Sequence, residues 1–362
     1  MVISVRESNA INLLKTCLAV GIVLSHSSFY SKSVEATIHI SDETYQSFDY
    51  FITVLQSLTC VCVPLFFFIS GYLFFLNAHS INWDFFSRKI RKRFSTLMIP
   101  FFIANGFAFL LVLLANTIKP NIIPIGNVSL STISISNLLS WLLLHPILGP
   151  TWFLRDLFSV VLISPIIYMF LKRKKVRILI SITLLLLWGG CNYMNYNPLD
   201  AIYLNIYGVC FFSLGCAVSL SNKSLFFNLY NYRWICLVAG IVVILSIFVI
   251  GSSVINSEVV RLPLIISLAL LYSCLCYHIS TDKKMVWTQE ASVITFFIYI
   301  YHGILVVVDK KLLLIAFKPV DSLQLLFLFL LTVCVLFAQL LLLYYVLKKY
   351  SPRLLAIMVG GR

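Results

Sequence analysis

Long apolar segments, broken only by short polar connections, are the feature that most constrains this chain. The 362 residues are 60% hydrophobic and 11% charged, with a mean hydropathy of +0.98. A soluble domain carries about 25% charged residues, so the composition excludes the water-soluble classes. Because about 20 apolar residues cross a bilayer as one helix, we predict an all-α, polytopic membrane bundle of about ten transmembrane helices. We expect a single integral-membrane domain over residues 1–362.

The predicted spans follow from the mean hydropathy in windows of about 19 residues. They lie at 10–30, 50–76, 96–116, 150–171, 176–193, 202–220, 233–251, 261–279, 291–308 and 323–347. Two connections are longer than a turn, at 31–49 and 117–149. The second ends in the apolar run 137–148, which is too short to cross a membrane and predicts an interfacial or re-entrant helix.

The distribution of basic residues predicts the orientation of the bundle. The net charge is +14, which in a soluble protein would indicate a polyanionic partner such as nucleic acid. Most of the 27 Lys and Arg lie in the N-terminus and in every second connection, with the largest clusters at 88–93 and 172–177. Few, among them Lys310, lie on the opposite side. By the positive-inside rule both termini are cytoplasmic, and the charge excess requires no nucleic-acid partner.

The ten cysteines all lie within or at the edge of apolar segments. None has the C-x-x-C spacing of a zinc or redox site. Since an unpaired cysteine packs as a small apolar residue, we interpret them as core residues and predict no metal site.

Ionisable residues inside the apolar spans are the candidates for function, because a charge at the bilayer centre costs about 3 kcal/mol. In the first span, Lys15 and His26 are eleven residues apart. On a helix this spacing puts them on nearly the same face, about 16 Å apart along the axis. The alternatives are that Lys15 extends to the inner headgroups and that His26 is an ordinary core histidine.

Three further spans contain polar residues of interest. Arg155 and Asp156 are neighbours at the outer end of the fourth span. They are either catalytic groups or an interfacial pair that takes no part in the chemistry. Tyr299 and His302 share one stripe of the ninth span with Ser292 and Phe296. In the second span, Ser70 and Gly71 would allow a ligand or another helix to approach closely.

The cytoplasmic cluster RKIRKR at 88–93 carries a second possible site. Guanidinium and ammonium groups pair with phosphoryl oxygens, so Arg88, Lys89, Arg91, Lys92 and Arg93 suit a phosphate-rich ligand. The alternative is that the cluster only fixes topology and contacts anionic lipids.

Seven strings, taken in order, resemble the integral-membrane acyltransferase 3 family of bacteria, which O-acylates surface glycans. They are NLLKTCLAVGIVLSH (12–26), PLFFFISGYLFF (64–75), RKIRKRFSTLMIP (88–100), TWFLRDLF (151–158), FFSLGC (211–216), SVITFFIYIYH (292–302) and SPRLLAIMVGGR (351–362). The resemblance implies an acyl-CoA donor, usually acetyl-CoA, bound from the cytoplasm. It also implies a surface glycan or lipid-linked sugar as acceptor on the outer side, and a location in the bacterial cytoplasmic membrane.

The family pattern assigns roles residue by residue, with two departures. Its basic residue and histidine fall on Lys15 and His26, and its loop arginine falls best on Arg93. The family often has Asp where this chain has Asn12, so that position carries no negative charge here. The second loop arginine is replaced by Thr96, which leaves open which other basic residue of the cluster contacts phosphate.

A mechanism follows as a hypothesis. A sugar hydroxyl is a poor nucleophile until a base accepts its proton, so we predict His26 as general base or as transient acyl-imidazole carrier. Arg155, and after it His302 or Tyr299, would polarise the thioester carbonyl, with Asp156 orienting one of them. Lys15 and the cluster at 88–93 would hold the CoA phosphates, with the pantetheine arm passing Ser70 and Gly71.

Two rival functions remain open at this point. A transporter or flippase of a lipid-linked glycan would use the buried charges as a polar pathway. A structural or sensory membrane protein would have no turnover. The basic cluster at 88–93 discriminates between an acyltransferase and a flippase, since an acyltransferase needs it as a CoA site and a flippase does not.

Overall fold

The computed structural model describes residues 3–29, 42–76, 78, 80–118, 134, 136–137, 140–194, 197–199, 205–221, 224, 226, 230–250 and 258–361. Within these ranges every regular element is helical, as predicted. The α-helices are α1 (Val5–His26), α2 (Asp42–Thr59), α3 (Cys62–Phe75), α4 (Trp83–Arg93), α5 (Ile99–Ile118), α6 (Trp152–Leu162), α7 (Ser164–Leu171), α8 (Lys174–Tyr193), α9 (Ile206–Ser219), α10 (Arg233–Ile250), α11 (Glu258–Ile279), α12 (Val286–Phe317), α13 (Ser322–Tyr350) and α14 (Pro352–Met358).

The helices include candidate membrane spans at the positions that hydropathy predicts. Among the described residues, 6 helical segments are long and apolar enough to cross a membrane, or 7 if the pair α6 and α7, bent by 56°, is one span. Helices at 206–219 and 233–247 are apolar but shorter. Each of the ten predicted segments overlaps at least one helix. The protein is thus an all-helical, multi-pass membrane protein.

Two predicted connections differ from the structure. Residues 42–49, expected in a loop, belong to α2. The run 137–148, expected to form an interfacial or re-entrant helix, contains the π-helical turn Ser140–Leu144 in its described part. Pro146 has no N–H to donate, so the turn ends at His145, whose N–H bonds to the Ser140 carbonyl at 2.7 Å. Residues 31–41 and 119–133 of these connections lie outside the described residues.

The ten cysteines are all free, and the interpretation of core residues is confirmed for six of them. The buried six are Cys62, Cys210, Cys216, Cys236, Cys274 and Cys276. Cys17 and Cys334 are exposed on helix surfaces, where an apolar thiol is compatible with lipid contact.

By their contacts, the residues form two compact units. The first comprises Met1–Gly21, Thr53–Lys92 and Asp156–Ser292. The second comprises Ile22–Ile52, Arg93–Arg155 and Val293–Arg362. Each unit is described by itself below.

In the first unit, α3 and α9 cross in direct backbone contact. A Cβ added at Gly71 would overlap the carbonyl oxygen of Phe212, and one added at Gly215 would overlap that of Phe68. Small residues at such a crossing let membrane helices approach closely. Gly71 therefore serves helix packing, which was one of the two alternatives that the sequence left open.

The second unit has a hydrophobic core built around α12 and α13. Phe297, Ile298 and Val306 pack there with Leu336 and Leu340 of α13. Val23 in α1 and Val359 after α14 belong to the same cluster and are fully buried, at 0% and 1% exposed. Their burial fixes the C-terminal end of α1 and the last residues of the chain against α12.

Candidate active site

Two histidines of the second unit lie side by side. His26 is the last residue of α1, and His302 lies in the middle of α12. Their ring centroids are 5.4 Å apart and the ring planes are tilted by 44°. The His26 ring is exposed, whereas His302 is fully buried at 0% exposed. The structure thus brings together two of the predicted site residues, one open to a substrate and one enclosed.

The hydrogen bonding of His302 determines which of its nitrogens carries the proton. Its Nδ1 lies 2.7 Å from the carbonyl oxygen of Tyr299. A carbonyl can only accept, so Nδ1–H is the donor and Nε2 of the neutral ring has a lone pair. That Nε2 is buried and has no hydrogen-bond partner among the described residues. A neutral His302 therefore offers an acceptor and no free donor beside the His26 ring.

Lys310 holds the end of α1 from the neighbouring helix. Its Nζ donates to the carbonyl oxygens of His26 at 3.1 Å and Ser28 at 3.0 Å. An ammonium group at a helix C-terminus satisfies carbonyls that have no partner within the helix. Lys310 therefore positions the backbone that carries His26.

Tyr299 has a structural hydrogen bond in this arrangement. Its hydroxyl donates to the Pro150 carbonyl at 2.6 Å, and its ring packs edge-on against Phe153 with centroids 6.2 Å apart. A tyrosine hydroxyl has a single proton to donate. In this structure the hydroxyl of Tyr299 anchors the start of α6, a contact that the sequence did not predict.

A buried hydrogen-bond brace holds the segment before α6. Asn105 is fully buried, and its Nδ2 donates to the Phe101 carbonyl at 2.9 Å and to Thr151 Oγ1 at 3.0 Å. Its Oδ1 accepts from the Leu148 N–H at 3.0 Å, and Thr151 Oγ1 donates to the Leu148 carbonyl at 2.7 Å. The brace fixes the turn that leads to Arg155, whose Nη1 donates to the Leu144 carbonyl.

Replacing Asn105 with leucine is expected to lower the free energy of unfolding by about 3 kcal/mol, because buried groups of Leu148 and Thr151 lose their partners. Thermal unfolding of the purified protein in detergent measures the loss. Thr151→Ser, which keeps the hydroxyl, is the matched control and should unfold near the wild-type temperature. Equal melting of Asn105→Leu and wild type would contradict the brace.

A second buried polar pair, absent from the sequence predictions, links α12 and α13. Gln339 Nε2 donates to Asp309 Oδ1 at 3.1 Å, and Asp309 is 6% exposed. Asp309 Oδ2 and Gln339 Oε1 have no hydrogen-bond partner in the described part of the chain. Asp309, like Lys310, lies on α12 beyond the hydropathy window that defined the ninth span.

The remaining predicted residues belong mainly to the first unit. Lys15 is half-buried on α1, and Asp156 is buried at 1% exposed. In the basic cluster, Arg88, Arg91 and Lys92 are exposed. Lys89 lies over the rings of Phe74 and Phe85, with Nζ 5.6 and 5.4 Å from the centroids. These rings orient Lys89 by cation–π contact, which hydropathy and charge counting do not detect.

Arg93, the best match to the family's loop arginine, belongs to the second unit. It ends α4 and is followed at once by the π-helical turn Phe94–Met98. The Ile99 N–H bonds to the Phe94 carbonyl, the i to i+5 pattern that defines such a turn. Single π-turns are frequent at functional sites. The turn Phe94–Met98 therefore marks the segment next to Arg93 as a candidate functional site.

Comparison with known proteins decides the family. The model of the acyltransferase 3 family, described as an acyltransferase domain, matches residues 8–357. The chain belongs to this family. No curated protein and no solved structure matches it.

The protein is therefore a membrane-bound acyltransferase. No group of three His, Cys, Asp or Glu side chains placed to hold a metal ion is found among the described residues.

Proposed function

We propose that this acyltransferase moves a short acyl group, in the simplest case acetyl, from cytoplasmic acyl-CoA to a hydroxyl of a surface glycan or lipid-linked sugar. In this proposal it lies in the bacterial cytoplasmic membrane as ten spans with both termini cytoplasmic. The observation that best supports this proposal is the pair of imidazoles. Exposed His26 lies beside buried His302, whose Nε2 has a lone pair and no partner among the described residues. This pair supports His26 as the group that handles the proton or the acyl group.

In the general-base route, one His26 nitrogen takes the proton of the sugar hydroxyl, and the adjacent ring of His302 orients the imidazole. The hydroxyl oxygen bonds to the thioester carbonyl carbon, the C–S bond breaks, and the CoA thiolate leaves with the proton from His26. A base held by a second group is the usual arrangement for activating a hydroxyl nucleophile.

In the acyl-carrier route, a His26 nitrogen attacks the thioester first and releases CoA. The sugar oxygen then takes the acyl group from the imidazole, and its proton passes to solvent or buffer base. Both routes develop negative charge on the carbonyl oxygen, and the Arg155 guanidinium is the proposed stabilising cation. Asp156, the next residue, keeps its proposed positioning role.

The proposed donor contacts are the basic residues at the cytoplasmic ends of the spans. Lys15, Arg88, Lys89, Arg91, Lys92 and Arg93 would hold the CoA phosphates, and Ser70 would lie along the pantetheine arm. The exposed side chains of Arg88, Arg91 and Lys92 support a role in ligand binding. Gly71 contributes through the packing of α3 against α9. The proposed partners are acyl-CoA, the acceptor sugar and membrane lipids.

Purified protein in detergent, incubated with radiolabelled acetyl-CoA and a panel of oligosaccharides, tests the proposal. We expect release of free CoA and label on at least one sugar as an alkali-labile ester. A protein that binds and consumes no acetyl-CoA with any acceptor would contradict acetyl-CoA as the donor.

A further inference from the structure

The last residues of the chain pack against the π-turn that follows Arg93. Gly360 has φ of +71°, and a Cβ built there would lie 2.7 Å from both Cα and O of Thr96. Thr96 is the central residue of the turn Phe94–Met98. Because the opposing atoms are backbone, no side-chain rotation can relieve such a contact. Only glycine fits this position without displacing the turn.

The terminal segment is itself held firmly. Val359 is 1% exposed and packs in the core cluster around α12 and α13. The Tyr301 hydroxyl donates to the Met358 carbonyl at 3.3 Å. The Gly360 N–H bonds to the Ile357 carbonyl at 3.1 Å, which closes the end of α14. Gly360 is thus fixed by its neighbours before it meets Thr96.

The π-turn couples its own conformation to the direction of Arg93. A π-turn accommodates one more residue than the α-helix would. If the turn reverted to α-helical geometry, every residue before it would rotate by about 100° relative to α5. The surface that stabilises the turn therefore also sets where the Arg93 guanidinium points.

We propose that Val359 and Gly360 form a positioning element of the acyl-donor site. Val359 anchors the segment in the core, and Gly360, packed against Thr96, holds the π-turn that aims Arg93 at the phosphates of CoA. The proposal rests on the proposed function, because it assumes that Arg93 contacts the donor. It assigns a role to a segment that has no charged or nucleophilic side chain of its own.

The chain offers a matched pair of variants for the test. Gly361 has φ of +73°, almost the same as Gly360, but a Cβ there would meet no atom within 4 Å. Gly360→Ala and Gly361→Ala therefore carry the same left-handed backbone strain, and only the first displaces Thr96. CoA binding to the full-length protein in detergent is measured by titration calorimetry.

We expect Gly360→Ala to weaken CoA binding by about tenfold or more, since small misplacements of a binding group have effects of this size. Gly361→Ala should bind CoA about as tightly as wild type. The kcat of acyl transfer at saturating donor should be the same in all three proteins. Equal CoA affinity in both variants, or a fall in kcat alone, would overturn the proposal.

Truncation after Val359 provides the second variant if Gly360→Ala does not fold. It removes the contact with Thr96 without introducing a clash, and Arg362→Ala controls for the lost charge. Weaker CoA binding in the truncated protein only would support the proposal, and unchanged binding would refute it.

Arg93→Ala in the same titration tests the contact of Arg93 with CoA separately from the positioning role of Gly360. Unchanged CoA binding in Arg93→Ala would show that the proposed contact between Arg93 and the donor is wrong. Weaker binding in Arg93→Ala together with wild-type binding in Gly360→Ala would show that only the positioning role is wrong.

Discussion

Replacing His26 with alanine is expected to lower kcat for acyl transfer by about 10²–10⁴-fold, the usual contribution of a positioned acid or base. The side chain is exposed at the end of α1, so its removal should leave the thermal stability nearly unchanged. Initial rates of CoA release and of sugar labelling, together with a melting curve, measure the two quantities separately.

His278→Ala is the control for this experiment. His278 is an exposed histidine in the last turn of α11, and we assign it no role in the reaction. It should retain the wild-type rate. Full activity in His26→Ala would show that another group takes the proton and that the paired histidines are not the reacting centre.

Replacing Gly71 with alanine is expected to lower the stability strongly. The added methyl would overlap the Phe212 carbonyl, so α3 and α9 must separate along their whole crossing. Overpacking in a core costs about 1–3 kcal/mol, and a clash with backbone should reach the upper end of that range. Gly215→Ala, the reciprocal change, should have a similar effect. Thermal unfolding in detergent measures both.

Gly190→Ala provides the helical control for these glycine variants. A Cβ at Gly190 in α8 meets no atom within 4 Å, so alanine should be neutral there or raise the stability by about 0.5–1 kcal/mol. Suppose instead that Gly71→Ala melted like wild type but bound CoA poorly. The residue would then line the donor site, and its assignment to helix packing would be wrong.

The features that could be predicted from sequence are those that depend on local composition. Apolar length determines where a helix can cross a membrane, and each predicted span overlaps a helix. Lys15, His26 and His302 could be selected because an ionisable residue in an apolar segment is costly wherever the helix packs. The family resemblance rested on motifs of the same local kind, and the match over 8–357 confirms it.

The features that were missed depend on partners far away in the chain. Hydropathy placed Lys310 in an outer connection because the apolar window ends at residue 308. In the structure α12 continues to Phe317, so Lys310 lies on the helix. The hydrogen bond from the Tyr299 hydroxyl depends on the nearby Pro150 carbonyl. The tautomer of His302 depends on the nearby Tyr299 carbonyl. Gly71 and Gly360 look alike in sequence, yet one opposes a helix and the other a π-turn.

The most direct test of the whole account is acyl transfer across a sealed membrane. Vesicles containing the purified protein are loaded with radiolabelled acetyl-CoA, and an oligosaccharide acceptor identified in detergent is added outside. For molecules oriented with the basic loops inside, we predict labelled sugar outside and free CoA inside, both lost in His26→Ala. Labelling only when donor and acceptor share one compartment would contradict transfer through the membrane.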